Sequence, residues 1–439
     1  MNMVSRAEFT RRRRALMEIM GSNSIAILPS AKEVVRSRDT NFPFRQDSDF
    51  HYLSGFPEPD AVLVLVPGRE HGEYVLFCRE KDPVRETWDG RREGQAGAKK
   101  NYGCNDAFPI DDIDDILPGL MEGRDRIYYE FGNHPDFDNQ IMGWINSLRA
   151  QVKNGAHPPG ELIDLSHILH DMRLIKSPKE IEIMSRSAEI SAFAHIEAMK
   201  ACKPGKSEMQ IEATLKYHFA DHGAQYEAYH SIVAGGENAC ILHYVENNMP
   251  LNDGELLLID AGCEFEGYAA DISRTFPING KFSDEQKHAY EWVLKANKEA
   301  IDQAVPGNPW TAPHDTAVRI LTQGLVDMGI LKGNLDQLIE EEAYKPYYMH
   351  KTGHWLGLDV HDVGDYIEDG EPRLLAEGMV LTVEPGLYFS PKTKGLDKKW
   401  WGIGIRIEDD VLIAKKGNQV LTSAVPKEID QIEAIMANR

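Results

Sequence analysis

The stretch GELLLIDAGCEFEGYAADISRTF, Gly254–Phe276, decides the fold. An apolar run, Leu256-Leu257-Leu258-Ile259, ends on Asp260, and a second strand pattern carries Asp271. Between them, Glu264-Phe265-Glu266-Gly267 has the makings of a four-residue hairpin turn. That turn would set Asp260 directly opposite Asp271, with Cβ atoms about 4.5–5.5 Å apart. Like charges so placed repel unless a proton or cation lies between them, and a divalent metal is the obvious cation. The apolar run argues for a buried strand and against a hairpin of merely solvated acids.

A second pair of strands repeats the pattern. In MVLTVEPGLY, Met379–Tyr388, residues Val380, Thr382 and Glu384 share a face, and Pro385-Gly386 stops the strand at the acid. In GIGIRIEDD, Gly402–Asp410, Ile403, Ile405 and Ile407 form a packed face, and Gly404, Arg406 and Glu408 form a polar one. Three of the 16 histidines, His350, His354 and His361, fall within MHKTGHWLGLDVHDVG, Met349–Gly364. Thr352-Gly353 argues against a helix there, and the glycine beside His354 permits close backbone approach to a ligand. His243 follows the glycine loop Ala234–Asn238. Four carboxylates with an imidazole suit Mn, Co, Fe or Zn, and more than one ion is needed to neutralise them.

Away from this core, Ser177, Pro178 and Glu180 form a capping signature for a helix running to about Ala201. A second helix covers roughly Ser207–His222, and others lie near 283–305, 312–328 and 334–343. Each half of this region has helices followed by an acid-bearing strand pair. Irregular mixing of strands and long helices indicates an α+β domain over 175–439. Residues 1–174 alternate strand and helix signals (strands at 61–67, 73–78 and 126–129; helices at 111–123 and 135–150), which indicates a smaller α/β domain.

Composition narrows the function. With 439 residues, 42% hydrophobic and 27% charged, the chain is globular. Its 48 basic and 70 acidic residues give −22, which disfavours nucleic acid and anionic lipid as partners. No apolar run approaches the roughly 18 residues of a membrane helix. Arg11–Arg14 is not followed by an apolar stretch, so Arg6–Met20 reads as a surface helix rather than a signal. Five scattered cysteines without a CxxC pair make disulfides and zinc-thiolate sites poor expectations and the cytoplasm the default compartment. Trp88 stands in a charged, glycine-rich stretch, Glu86–Gly97, and is either a lid, an interface anchor or a locally packed core residue.

Asp260 and Asp271, then His354, Glu384 in VEPGLY and Glu408 in GIRIEDD, resemble the pita-bread metallopeptidases. FPFRQDSDFHYLSGF (Phe42–Phe56), TWDGRREGQ (Thr87–Gln95) and HWLGLDVHDVG (354–364) resemble the bacterial aminopeptidase P subfamily over essentially the whole chain. The resemblance implies two divalent ions per subunit, usually Mn, held by Asp260, Asp271, His354, Glu384 and Glu408. It implies Glu384 as general base, with His361 and His243 stabilising the intermediate or guiding substrate. His350, Tyr388 and Arg406 would line the leaving-group side, and Trp88 would reach a neighbouring subunit's site in a homo-oligomer, a tetramer favoured over a dimer. The activity implied is release of the N-terminal residue from peptides with proline in position two. The alternative is a prolidase restricted to Xaa-Pro dipeptides. A metal-free binding module or a creatinase-like hydrolase would have lost ligands that this chain retains. Lys351-Thr352 departs from the family pattern, where a smaller or apolar residue often follows the histidine.

Overall fold

The structure is a computed structural model that describes residues 4–438. The chain divides into two compact units between Met172 and Arg173.

The first unit is built on a six-stranded mixed sheet, whose order places Ser24–Pro29 between Val62–Leu65 and Arg126–Tyr129. Val62–Leu65 pairs antiparallel to Tyr74–Cys78, and Arg126–Tyr129 pairs parallel to Glu161–Asp164. Ile113–Met121 and Pro135–Ala150 pack their apolar stripes on this sheet, burying Leu117, Met121, Ile141 and Trp144. The N-terminal helix spans Arg6–Met20 as expected, but it is not simply a surface helix. Arg12 and Arg13 are buried. Arg12 stacks over Tyr52 and donates to the Tyr52 carbonyl, while Arg13 stacks over Tyr74 and donates to the Leu53 carbonyl. A guanidinium tolerates burial when its donors and its faces are both occupied.

The second unit is α+β. The helices Pro178–Ala201 and Glu208–Asp221 pack on each other, as do Asp284–Gln303 and Ala312–Asp327. Capping boxes at Ser177/Glu180, Ser207/Gln210 and Ser283/Gln286 start three of the four. Pro178–Ala201 packs against the first acid-bearing hairpin and Asp284–Gln303 against the second, so the echo between the two halves of the sequence is structural. One contiguous core joins Ile190, Leu215, Ile259, Phe276, Val293, Leu321 and the three isoleucines 403, 405 and 407.

The first hairpin corrects the expected register. Its turn is two residues long, Glu266-Gly267, both at positive φ (51° and 88°), because Phe265 pairs with Tyr268. Asp260 therefore faces Ser273, not Asp271. The slip is two residues, so face parity survives and the two aspartates remain diagonal neighbours. The ladder is also interrupted. Leu256–Asp260 pairs with Ser273–Pro277 and Cys263–Phe265 with Tyr268–Ala269, leaving Asp271 in the gap. Gly262 is required there, since a Cβ would lie 1.7 Å from the Ala270 carbonyl oxygen.

The second hairpin has the same interruption. Val380–Val383 pairs with Asp409–Ile413, and Gly386–Phe389 pairs with Ile403–Arg406. Pro385 cannot donate to the ladder, and the register on both sides of the gap sets Glu384 opposite Glu408.

Candidate metal centre

A cavity of about 450 Å³ in the second unit is lined by Asp260, Asp271, His354, Glu384 and Glu408 together with His243, His350, Lys351, His361 and Arg406. Asp271, His354 and Glu408 offer ligand atoms within 4.8 Å of one another, the arrangement that could hold an ion. His354 Nε2 lies 3.4 Å from Asp271 and 3.8 Å from Glu384. The ring's Nδ1 donates to the Trp355 carbonyl at 2.9 Å, which turns Nε2 towards the carboxylates as the atom that would ligate an ion.

Burial dominates the electrostatics. It pushes the carboxyls of Asp260 and Glu408 up, and raises Glu384 to about 7. Asp271 ends below the ordinary range because the hydrogen bond and charge of His354 outweigh its burial. For His354 burial opposes the charge, yet Asp271 and Glu384 lift it to about 9. Arg406 bonds Asp260 at 2.6 Å and neutralises one carboxylate. The remaining three, buried and converging, need either protons or further positive charge, and an oxygen-rich set with one imidazole fits hard-to-borderline divalent ions.

His354 and Glu384 are held by the main chain. The Glu384 amide donates to the Thr352 carbonyl at 2.7 Å, the Thr382 amide to the His354 carbonyl at 2.9 Å, and the His354 amide to Thr382 Oγ1. A Cβ on Gly353 would meet the Thr382 carbonyl at 2.0 Å, so glycine beside His354 serves this protein–protein approach, not a ligand. Thr352 is 2% exposed. Its hydroxyl lies 2.8 Å from His314 Nδ1 and 2.6 Å from Tyr348 Oη.

The other expected residues divide. His243 and His361 are exposed and line the cavity, the latter with its ring centroid 4.2 Å from that of His354. His350 and Arg406 also line it, but Tyr388 does not: its hydroxyl sits behind them, 2.8 Å from His350 Nε2 and 2.9 Å from Arg406 Nη1. Gly404 belongs to no open cleft, for its Cβ position is filled by Ala239. Trp88 lies in the first unit at 83% exposure, which removes the packed-core reading, and on a short helix, Pro83–Asp89, rather than a loop.

Sequence reasoning missed Tyr229, whose hydroxyl donates within 2.6 Å of Asp260 and also reaches Asp271. It missed Ser273, which bonds Glu408 and Arg406, and the Thr352–His314–Tyr348 cluster. Lone hydroxyls carry no spacing signal; only the register of the first hairpin, correctly set, would have placed Ser273.

Residues 182–415 match metallopeptidase family M24, and residues 9–128 match the aminopeptidase P N-terminal domain. The chain is 48% identical to a Haemophilus influenzae protein named Xaa-Pro aminopeptidase, over 98% of this chain and 97% of that one. It is 46% identical to an Escherichia coli protein of the same name, over 99% of each. The solved structure of Pseudomonas aeruginosa aminopeptidase PepP superposes with a TM-score of 0.99 at 57% identity, covering 100% of this chain and 99% of that one.

Proposed function

The chain belongs to metallopeptidase family M24, with an aminopeptidase P N-terminal domain ahead of the catalytic one, and from that premise we propose how its residues work. It is a metal-dependent Xaa-Pro aminopeptidase, which releases the N-terminal residue from peptides with proline in second place. The prolidase alternative falls away, since full-length relatives carry the aminopeptidase name.

The observation that carries the assignment of roles is the convergence of Asp271, His354 and Glu408 in a cavity that also holds Asp260 and Glu384. These five residues would hold two divalent ions, Mn being the metal the resemblance implies. When bound, such ions lower the pKa of water and polarise a peptide carbonyl. Glu384 acts as general base. Its carboxylate lines the cavity beside the other ligands, within reach of an attacking water, and can take a proton from it and return it to the departing prolyl nitrogen. His361 and His243 are placed on the cavity wall to donate to the oxygen that gains charge during attack. A prolyl nitrogen has no N–H, so the ring is selected by shape, which His350 and Arg406 provide, with Tyr388 orienting both from behind.

The remaining assignments rest on resemblance and exposure. Residues 1–174 serve assembly and access to the site. Trp88 is a large, exposed aromatic of the kind that anchors interfaces, and we assign it to a subunit boundary in a homotetramer. Among the described residues no helix is long and apolar enough to cross a membrane; cytoplasmic residence is part of the proposal. The decisive experiment strips metal and adds back Mn, Co and Zn separately, with Xaa-Pro, Xaa-Pro-Yaa and Xaa-Ala-Yaa as substrates. Metal-dependent cleavage confined to the Xaa-Pro bond of peptides longer than two residues is expected. Equal rates on the alanine series would overturn the assignment. Trp88→Ala should reduce turnover and shift the assembly in light scattering while metal content stays full; an active monomer would refute the tetramer.

A further inference from the structure

Among the described residues, two side chains lining the cavity carry a fixed positive charge, and they differ in what their charge is committed to. Arg406 is 3% exposed and fully engaged: Nε on Ser273, Nη1 on Tyr388 and Nη2 on Asp260. Lys351 is exposed, and among the described residues its ammonium pairs with no carboxylate, in a chain of net charge −22. It follows His350 directly, and His350 Nδ1 bonds the Lys351 carbonyl, so its backbone is fixed relative to the leaving-group wall. An unpaired ammonium there acts on both ends of a peptide. It repels the substrate's α-amine, which belongs with the carboxylates deeper in the cavity, and attracts a carboxylate on the side that departs.

We infer that Lys351 is a specificity-determining residue that selects substrates bearing a carboxylate just after the proline. That carboxylate is either the free C-terminus of a tripeptide or an Asp or Glu side chain in third position. The inference rests on the aminopeptidase reading above and adds the substrate class. An exposed charge pair supplies about a two- to fivefold preference, which weakens as salt screens it.

The test compares kcat/KM of the Mn-loaded full-length enzyme on four peptides with free N-termini. One arm sets Ala-Pro-Ala against its C-terminal amide. The other sets Ala-Pro-Asp-amide against Ala-Pro-Lys-amide. The wild type should prefer the carboxylate in at least one arm by about two- to fivefold; which arm responds identifies the source. Lys351→Met should bring that ratio close to one, and Lys351→Glu should invert it. A preference that survives in Lys351→Met, a wild type with no preference in either arm, or a Met variant that slows all four peptides alike would each overturn the inference. Failure of the wild type to cleave any of the four would instead sink the aminopeptidase reading on which it stands.

Discussion

Thr352→Val tests the support beneath the ligands at their most buried point. Valine is nearly isosteric, so the change removes one hydroxyl and little volume. That hydroxyl holds His314 Nδ1 at 2.8 Å and Tyr348 Oη at 2.6 Å, and Tyr348 is 0% exposed. Two neutral hydrogen bonds are worth about 1 kcal/mol each, and stranding a buried partner adds about 1–3 kcal/mol. The variant should therefore lose about 3–5 kcal/mol of unfolding free energy. The Thr352 carbonyl also accepts the Glu384 amide, so a displaced Thr352 moves a ligand and should weaken metal retention. Denaturant unfolding of the metal-loaded protein gives the first quantity, and chelator titration gives the second. Thr352→Ser keeps the hydroxyl and should recover most of both. A Val variant within about 0.5 kcal/mol of wild type, the spread of ordinary surface substitutions, would refute the claim that this hydroxyl anchors the segment.

Glu384→Gln keeps the shape but removes the charge and the base, and kcat should fall by roughly 10²–10⁴-fold; an unchanged kcat assigns the base elsewhere. Metal uptake by stripped protein should strengthen as pH rises, because Glu384, raised to about 7, and His354, raised to about 9, must lose protons to the incoming ion. Calorimetry in buffers of different ionisation enthalpy would count those protons, and pH-independent binding without proton release contradicts the ligand set. Burial holds His195 and His314 down at about 4. An unfolded histidine near 6.5 binds protons first, so stability is retained above that pH and lost as pH falls from about 6.5 towards 4. His195→Gln should flatten this slope in denaturation series; an unaltered slope would show that other groups set it.

Much of this was legible in residue order. The capping signature at Ser177 predicted the helix start at Pro178, because caps are local chemistry. The four acids stood out because charges on otherwise apolar strands are conspicuous, whereas the choice of His354 among the histidines came from the family resemblance. What failed was geometry that depends on backbone rarely signalled by side chains. Glu266 enters the left-handed region beside Gly267, and a Glu-Gly turn lacks the strong hairpin signature of Asn-Gly, so the turn was placed two residues too wide. The buried state of Arg12 and Arg13 was invisible because their partners, Tyr52, Leu53 and Tyr74, are far along the chain. Glycine beside His354 suggested room for a ligand, but the carbonyl that fills this room comes from Thr382.

The paired interruptions in the two hairpins have a mechanical consequence. Asp260 and Asp271 come from one hairpin and Glu384 and Glu408 from the other, each set gathered at or beside a gap where the strand pairing thins to single hydrogen bonds, Ala261 N–H to Ile272 and Ala270 N–H to Cys263 in the first and Ile407 N–H to Pro385 in the second. Without counter-charge, those gaps are where the sheets push apart; with it, the same gaps become the rivet between two halves of the unit that are distant in sequence. Catalytic competence and the joining of the two halves thus depend on one set of oxygens, so a chelator should open amide exchange first along the strands flanking the gaps and only later in the helix pairs behind them.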